Sequence, residues 1–382
     1  MTEPLRLLVL NCEYPPLGGG AATATLNILK RLEACNVQWD LVTASPSEAL
    51  SVENRGRCAI HYLPVGKKAL HYWSTPELMR YAVAAARYSH RLWLRRRHVI
   101  CHAFFTLPAG AAAWRLRRLM PYLVSLRGSD VPGFSGRFDL FHTFTAPITR
   151  LIWRNATAVV ANSQQLRTLA LQCDPGQTVE VIPNGVDTQE FKPGAFRPSG
   201  RSVLVVARLI PRKDVATAVR AVAALRGKIA GLTLTVVGDG PDAQRIQALG
   251  RALGMADALC MCRAVPRELM SGVYRGADVF LLTSRREGMS NTVLEALASG
   301  LPIVASPEAM AGIDFPEARL VPPADAAAAA EAVEKLLLDE GARRTEAAAA
   351  RRAAGKYDWD RVAGDYLHLY KRLIARAKEY AS

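Results

Sequence analysis

Short apolar runs alternate along the chain with longer stretches of helical periodicity. Residues 6–11 (RLLVLN), 39–43 (WDLVT), 99–102 (VICH), 122–126 (YLVSL), 158–163 (AVVANS) and 179–182 (VEVI) are each a few residues long, and most of their positions are apolar. Runs of this length, without strict alternation of polar and apolar positions, suit strands of a parallel sheet buried on both faces. The pattern resumes at 203–206 (VLVV), 232–237 (LTLTVV) and 277–282 (ADVFLL). Between the runs, apolar residues recur at helical spacing: at 21–32, after Ser290, through the alanine-rich 324–330 and 343–354, and from 359 towards 380. Strands alternating with helices predict an α/β protein with doubly wound parallel sheets. The Pro- and Gly-rich stretch 193–200 reads as a linker. It separates a first domain over 1–192 from a second over 203–356, with a final helical segment over 357–382.

At 382 residues, half of them hydrophobic, the chain is long enough for two domains with substantial cores. No stretch of about 18 uncharged apolar residues predicts a membrane span. The first residues run directly into a strand, without the basic segment, long apolar core and cleavage site of a signal peptide. The seven cysteines lack metal-ligand spacing, and the C-x-C at Cys260 and Cys262 is too isolated for zinc. Free thiols and a cytoplasmic location are expected.

The formal net charge of +15 asks for an anionic partner. Its densest cluster, Arg91 and Arg95 to Arg97, lies beside His71, Tyr72, Trp73, Tyr81, Tyr88 and Trp93, and Arg115, Arg117 and Arg118 follow. An arginine-rich helix with aromatic residues suits an anionic membrane surface, here at the inner face; a solvated helix face is the plainer reading. No nucleic-acid-binding motif accompanies the charge, so nucleic acid is not expected as a partner.

The chemistry concentrates at residues 287–295, EGMSNTVLE, where two carboxylates stand eight positions apart. The strand before them ends in Thr283 and Ser284, and Ser290, Asn291 or Thr292 caps the helix after them. A strand end, a glycine turn and a helix N-terminus together favour an anion, because free backbone N–H groups and the helix dipole point the same way. Glu287 falls on the loop at the strand's C-terminal end, where open α/β sheets bind ligands. Glu295, among Val293, Leu294, Ala296 and Leu297, needs hydrogen-bond partners if it is buried. Taken alone, this spacing describes a capped helix with two solvated glutamates.

The stretch resembles the E-x7-E motif of glycosyltransferase family 4, retaining enzymes that use nucleotide-sugar donors. The resemblance continues through residues 298–306 and extends to Arg208 and Lys213, to the segment Pro183-Asn184-Gly185-Val186-Asp187, and more loosely to the first domain. It implies the GT-B fold: two facing Rossmann-like domains with a cleft between them. The acceptor side would be the first domain, the donor side the second, and the C-terminal helix would cross back to the first. By the same resemblance, Arg208 and Lys213 hold the donor diphosphate and Glu287 contacts the transferred sugar. Glu295 holds the ribose, Val265 lines the base, and Gly288, Met289, Ser290 and Asn291 face sugar and phosphate. Gly18, Gly19 and Gly20 form a loop near the diphosphate, although their spacing is not a dinucleotide fingerprint.

Four positions depart from the family pattern. Phe104 replaces the second of two histidines, of which His102 matches the first. Arg127 stands where the family has His in His-Gly-x-Asp, ahead of Asp130. Ala207 and Arg263 replace glycines. A guanidinium at Arg127 can bind phosphate or carboxylate in a bidentate manner, or it can pair internally. The expected activity is hexosyl transfer from a nucleoside-diphosphate sugar to a glycan or lipid-linked acceptor, without a metal or other cofactor, and with Arg127 and Glu287 as the catalytic candidates. A nucleotide-sugar epimerase of the same fold and a non-catalytic scaffold at the membrane surface are the alternatives.

Overall fold

The computed structural model describes residues 5–68, 73–134, 139–194, 200–263 and 265–379. Most of the expected linker, His71 and Tyr72 of the aromatic segment, and residue 380 lie outside these. The chain forms two compact units. The residues up to Asn184 and those from Trp359 onward make the first, and Gly185–Asp358 makes the second.

The first unit runs β1 (Arg6–Leu10), α1 (Gly20–Ala34), β2 (Gln38–Ala44), β3 (Ser51–Arg55), β4 (Cys58–Leu63), α2 (Thr75–Arg96) and β5 (Ile100–Phe104). It continues through α3 (Ala111–Arg115), β6 (Tyr122–Leu126), α4 (Asp139–Asn155), β7 (Ala158–Ala161), α5 (Gln164–Cys173) and β8 (Val179–Val181). The sheet order is β3-β4-β2-β1-β5-β6-β7-β8. Its pairs are parallel except β3 with β4. That hairpin was not expected from the pattern: β3 reads SVENR and is exposed throughout, so no buried run marks it.

The second unit runs β9 (Ser202–Val206), α6 (Val215–Leu225), β10 (Thr233–Val237), α7 (Ala243–Ala252), β11 (Leu259–Cys262), α8 (Arg267–Arg275) and β12 (Val279–Leu282). Then come α9 (Asn291–Ala298), β13 (Ile303–Ala305), β14 (Arg319–Leu320), α10 (Ala326–Leu338) and α11 (Glu340–Ala354). Its strands are parallel, in the order β11-β10-β9-β12-β13-β14. The last helix, α12 (Trp359–Glu379), belongs to the first unit.

Helices cover both faces of the first sheet. On one face Tyr81 and Leu92 of α2, Ala112 of α3, Ile152 and Trp153 of α4 and Leu166 of α5 pack on Leu8, Leu10, Tyr122 and Val124. On the other, Ile28 and Leu32 of α1 and Trp359, Tyr366 and Tyr370 of α12 pack on Leu7, Val9 and Leu123. A buried polar knot ties α2 to the strands. The carboxylate of Asp40 accepts hydrogen bonds from His61 (2.9 Å), His98 (2.8 Å) and Arg96 (2.9 Å). The second core runs through Val203, Val205, Leu234, Phe280, Leu294 and Val333. Two doubly wound, Rossmann-like units of this kind make the GT-B fold class.

In each sheet the chain reverses its direction of winding beside the first strand. β2 and β5 flank β1, and β10 and β12 flank β9. Loops after strands on the two sides of such a point diverge and leave a crevice at the strand C-termini. The glycine loop follows β1, the 208–213 loop follows β9 and the 283–290 loop follows β12.

Candidate active site

In the second unit β9 and β12 are hydrogen-bonded neighbours, so the loops after them meet. Lys213 Nζ is closely paired with Glu287 Oε1, and Arg212 Nη1 lies 3.7 Å from Glu287 Oε2. Arg212 also donates to the carbonyl of Arg286 at 2.9 Å, and the N–H of Arg285 donates back to the carbonyl of Arg212 at 2.8 Å. These bonds lock the two loops together. Burial pushes the Lys213 ammonium below its ordinary range, with Glu287 opposing that shift and Arg212 and Arg208 adding to it. Arg212 is lowered in the same way, first by burial. Arg208 is exposed, and its side chain makes no hydrogen bond or ion pair among the described residues. Two cations thus pair with one buried carboxylate, and the charge of Arg208, which acts on both, leaves a surplus of positive charge for an anion.

The backbone that carries Arg208 is held from the β10 side. Gly238 has φ +143, and a Cβ there would lie 1.9 Å from the carbonyl oxygen of Ala207. This close approach is the reason for the glycine, and it lets the N–H of Leu209 donate to the carbonyl of Asp239 at 2.9 Å. A contact from Gly238 fixes the 207–209 loop although Ala207 stands where the family has glycine.

Ser290 is the N-cap of α9 and makes no side-chain capping bond; its hydroxyl lies 3.1 Å from that of Thr292. One turn into α9, Glu295 accepts the Tyr274 hydroxyl at 2.8 Å. Burial draws the Glu295 carboxyl up to about 7, against the Tyr274 hydrogen bond and the charge of Arg267. Tyr274, pushed well above its ordinary range by burial, remains a hydrogen-bond donor. Val265 follows β11, the edge strand on the far side of β10, and is half-buried. Arg212 and Tyr274 were not singled out from sequence. Arg212 hides beside Lys213 in a basic run, and Tyr274 is 21 residues from Glu295 and meets it only in space.

The remaining candidates belong to the first unit. Gly18 holds φ +93, and Gly19 is the N-cap of α1, with Gly20 in its first turn. The N–H of Gly19 faces the Glu13 carboxylate at 3.4 Å. Both ring nitrogens of His102 are engaged, by Tyr370 and by Ser125, each at 2.7 Å. Its ring stacks on Phe104, and burial pushes its pKa well below the ordinary value. Asp130 is buried and binds two loops: it accepts from the N–H groups of Thr106 (2.9 Å), Arg127 (2.9 Å) and Gly128 (3.0 Å). The Arg127 guanidinium lies over the Phe104 ring and donates to Asn184 at 2.9 Å and to Tyr366 at 3.3 Å. Only the backbone of Arg127 meets Asp130, so the two side chains are not an ion pair. Phe105 holds φ +73, a backbone conformation that L residues rarely adopt and that costs about 1–3 kcal/mol.

A doubly wound unit with a cationic loop and a glutamate at its switch point defines a protein of the nucleotide-sugar-transferase type. The profile described as "Glycosyl transferases group 1" matches residues 186–354, and that of "Glycosyltransferase Family 4" matches residues 18–190. The chain belongs to this glycosyltransferase family. It is 31% identical over 216 residues to the GDP-mannose-dependent alpha-(1-6)-phosphatidylinositol monomannoside mannosyltransferase of Mycolicibacterium smegmatis, covering 50% of this chain and 55% of that protein. It is 30% identical over 245 residues to the D-inositol 3-phosphate glycosyltransferase of Corynebacterium jeikeium, covering 57% of this chain and 58% of that protein. The matches thus span about half the length of these relatives. Among solved structures, the sucrose-phosphate synthase of Thermosynechococcus elongatus superposes with a TM-score of 0.82 at 21% identity, over 97% of this chain and 100% of that one. Anabaena HepE in complex with UDP and glucose superposes with a TM-score of 0.72 at 18% identity, over 96% of this chain and 99% of that one. At these identities the two structures share the fold.

Proposed function

We propose that the protein is a retaining glycosyltransferase that moves a hexose from a nucleoside-diphosphate sugar to a glycan or lipid-linked acceptor. The observation that carries this reading is the meeting of Arg212 and Lys213 with Glu287 at the switch point of the second sheet, with the exposed Arg208 close enough for its charge to act on both cations. Cations fixed in a partly dry site stabilise the charge that develops on a departing diphosphate, and they need no reorganisation to do so. Glu287, held by Lys213 and Arg212, is the acceptor for hydroxyls of the transferred sugar, and Glu295 is the acceptor for the ribose. Gly288 to Asn291 and the N-terminus of α9 face sugar and phosphate, and Val265 lines the base. In the first unit, Gly18 to Gly20 lie by the diphosphate. Arg127 meets an acidic group of donor or acceptor, while Asp130 and His102 position its loop. The leaving phosphate takes the acceptor's proton as the glycosidic bond forms on the same face of the sugar.

The named relatives act on phosphatidylinositol mannoside and inositol phosphate, which supports a lipid or polyol acceptor here. An anionic membrane at the cytoplasmic face is the partner of the basic first unit. No helix among the described residues is long and apolar enough to cross a membrane, so the association would be peripheral.

The test is the melting temperature with UDP, GDP, ADP and their hexose conjugates, for the wild type and for Arg208→Ala/Lys213→Ala. A nucleotide at about 100 times its Kd adds about 2.7 kcal/mol, a shift of a few degrees. One nucleotide should give that shift, and the double variant should lose it. A wild type indifferent to all of them would sink the donor-site assignment.

A further inference from the structure

Helix α4 wears its apolar residues on the outside. Ile152 and Trp153 point into the core, and Thr149 and His142 are buried with them. Leu140, Phe144, Ile148 and Leu151 recur at the spacing of one helical face, with Phe141 beside them, and all are exposed; Leu140 keeps 73% of its surface and Phe144 77%. Single exposed apolar residues are ordinary, but a contiguous stripe along one helix marks an interaction surface.

The charge around the stripe says what covers it. Helices α2, α3, α4 and α5 share one face of the first sheet. Together they contain nine arginines and two acids, Glu77 and Asp139; of the arginines, Arg96 and Arg154 are already paired with Asp40 and Asp174. Glu77 is buried and paired with Lys67. An apolar stripe within an arginine-rich surface complements a bilayer of anionic lipids: the side chains enter the boundary between headgroups and acyl chains, and the guanidiniums meet the phosphates. A protein partner would ask for acids to match the arginines.

We propose that the α2–α5 face of the first unit seats on an anionic phospholipid surface, with the Leu140–Phe144–Ile148–Leu151 stripe of α4 as its inserted wedge. The proposal rests on the membrane-partner reading above and deepens it. It also gives the docking a consequence at the candidate site. His142, on the buried side of α4, lies with Nε2 3.0 Å from the carbonyl oxygen of Ser129, in the loop that carries Arg127 and Asp130. Seating the wedge therefore fixes that loop relative to the lipid surface from which a lipid-linked acceptor presents its headgroup.

The test is flotation of the full chain with vesicles of phosphatidylglycerol and phosphatidylcholine, and with vesicles of phosphatidylcholine alone. The variants are Phe144→Asp/Ile148→Asp for the wedge and Arg87→Glu/Arg91→Glu for the charge, with Phe144→Ser as the milder wedge change should the first fail to fold. The wild type should bind the anionic vesicles and bind more weakly as salt rises. The wedge variants should lose about tenfold or more in partitioning. The charge variant should lose about fivefold or more per arginine, on anionic vesicles only. A wild type that stays off anionic vesicles, or a folded wedge variant that floats as the wild type does, overturns the proposal. So does a wild-type dimer that the wedge variant converts to monomer without a change in flotation, since a second copy would then be the occupant. Nucleotide-induced stabilisation, measured without lipid, separates the two readings: its absence from the wild type would fail the donor site and leave the flotation result standing alone.

Discussion

Glu295→Gln separates what this residue does to the fold from what it offers a ligand. In the folded protein its carboxyl is drawn from an ordinary 4.5 to about 7, chiefly by burial. The folded state therefore holds the proton more tightly than the unfolded chain does. Below about pH 4.5 both states are protonated and the residue carries no penalty. As pH rises from there to about 7, the unfolded chain loses its proton first and stability falls; above 7 the loss is complete and constant. At about 1.4 kcal/mol per pH unit, that window is worth about 3 kcal/mol. Glu295 is partly exposed, and solvent screening brings the expected figure down to about 1–3 kcal/mol.

Gln keeps the shape, accepts the Tyr274 hydroxyl through its amide oxygen and does not titrate. The variant should match the wild type near pH 4.5 and exceed it by about 1–3 kcal/mol at pH 8. All six tryptophans (Trp39, Trp73, Trp93, Trp114, Trp153 and Trp359) belong to the first unit, so intrinsic fluorescence does not follow the second. Scanning calorimetry at both pH values does, and it resolves the units if they melt separately. A gap that is the same at both pH values would refute the buried-carboxyl reasoning. Binding should move the other way. Hydrogen bonds to a charged acceptor are worth about 1.5–3 kcal/mol, so the nucleotide Kd should rise by about tenfold or more. A variant that binds the nucleotide as tightly as the wild type would remove the ribose from Glu295.

Two further substitutions probe the supports of the site. Gly238→Ala places a methyl group 1.9 Å from the Ala207 carbonyl oxygen at a left-handed φ; it should cost about 3 kcal/mol or more and abolish nucleotide stabilisation, and a calorimetric loss under about 1 kcal/mol would mean that the loop moves freely. Arg127→Ala removes the bonds to Asn184 and Tyr366. It should lower nucleotide-sugar turnover about tenfold or more while leaving nucleotide stabilisation unchanged, and full turnover would reduce Arg127 to an internal brace.

The architecture was legible because its central strands are buried on both faces. A run such as 203–206 is apolar at every position and bounded by a turn-rich stretch, which suits a strand buried inside a parallel sheet. The β3–β4 hairpin was not legible, since an exposed edge strand leaves no hydrophobic trace. At the candidate site, the family resemblance picked out residues close together in the sequence: Glu287 with Glu295, and Arg208 with Lys213. It could not pick out partners joined through the sheet. The Lys213–Glu287 pair spans 74 residues and follows from β9 lying beside β12, a neighbour relation decided by strand order. Helix α4 shows a different blindness. Its periodicity is strong, but periodicity marks an apolar face without saying whether protein or solvent meets it. Only the packing of Ile152 and Trp153 shows that the stripe through Phe144 points outward.

The departure at Arg127 constrains the chemistry more than its position suggests. An imidazole there can give or take a proton near neutral pH, whereas a guanidinium stays charged throughout. Any acid–base step assigned to that loop would then have to fall to another group. The nearby ionisable side chains are unsuited to proton transfer, since His102 is buried with both nitrogens engaged and Asp130 is occupied by backbone N–H groups. A fixed positive charge held against an aromatic face is suited to binding an anion and holding it still. Under the proposed front-face transfer, in which the proton passes from acceptor to leaving phosphate within the substrates, the protein's part at Arg127, Lys213 and Arg212 would be electrostatic.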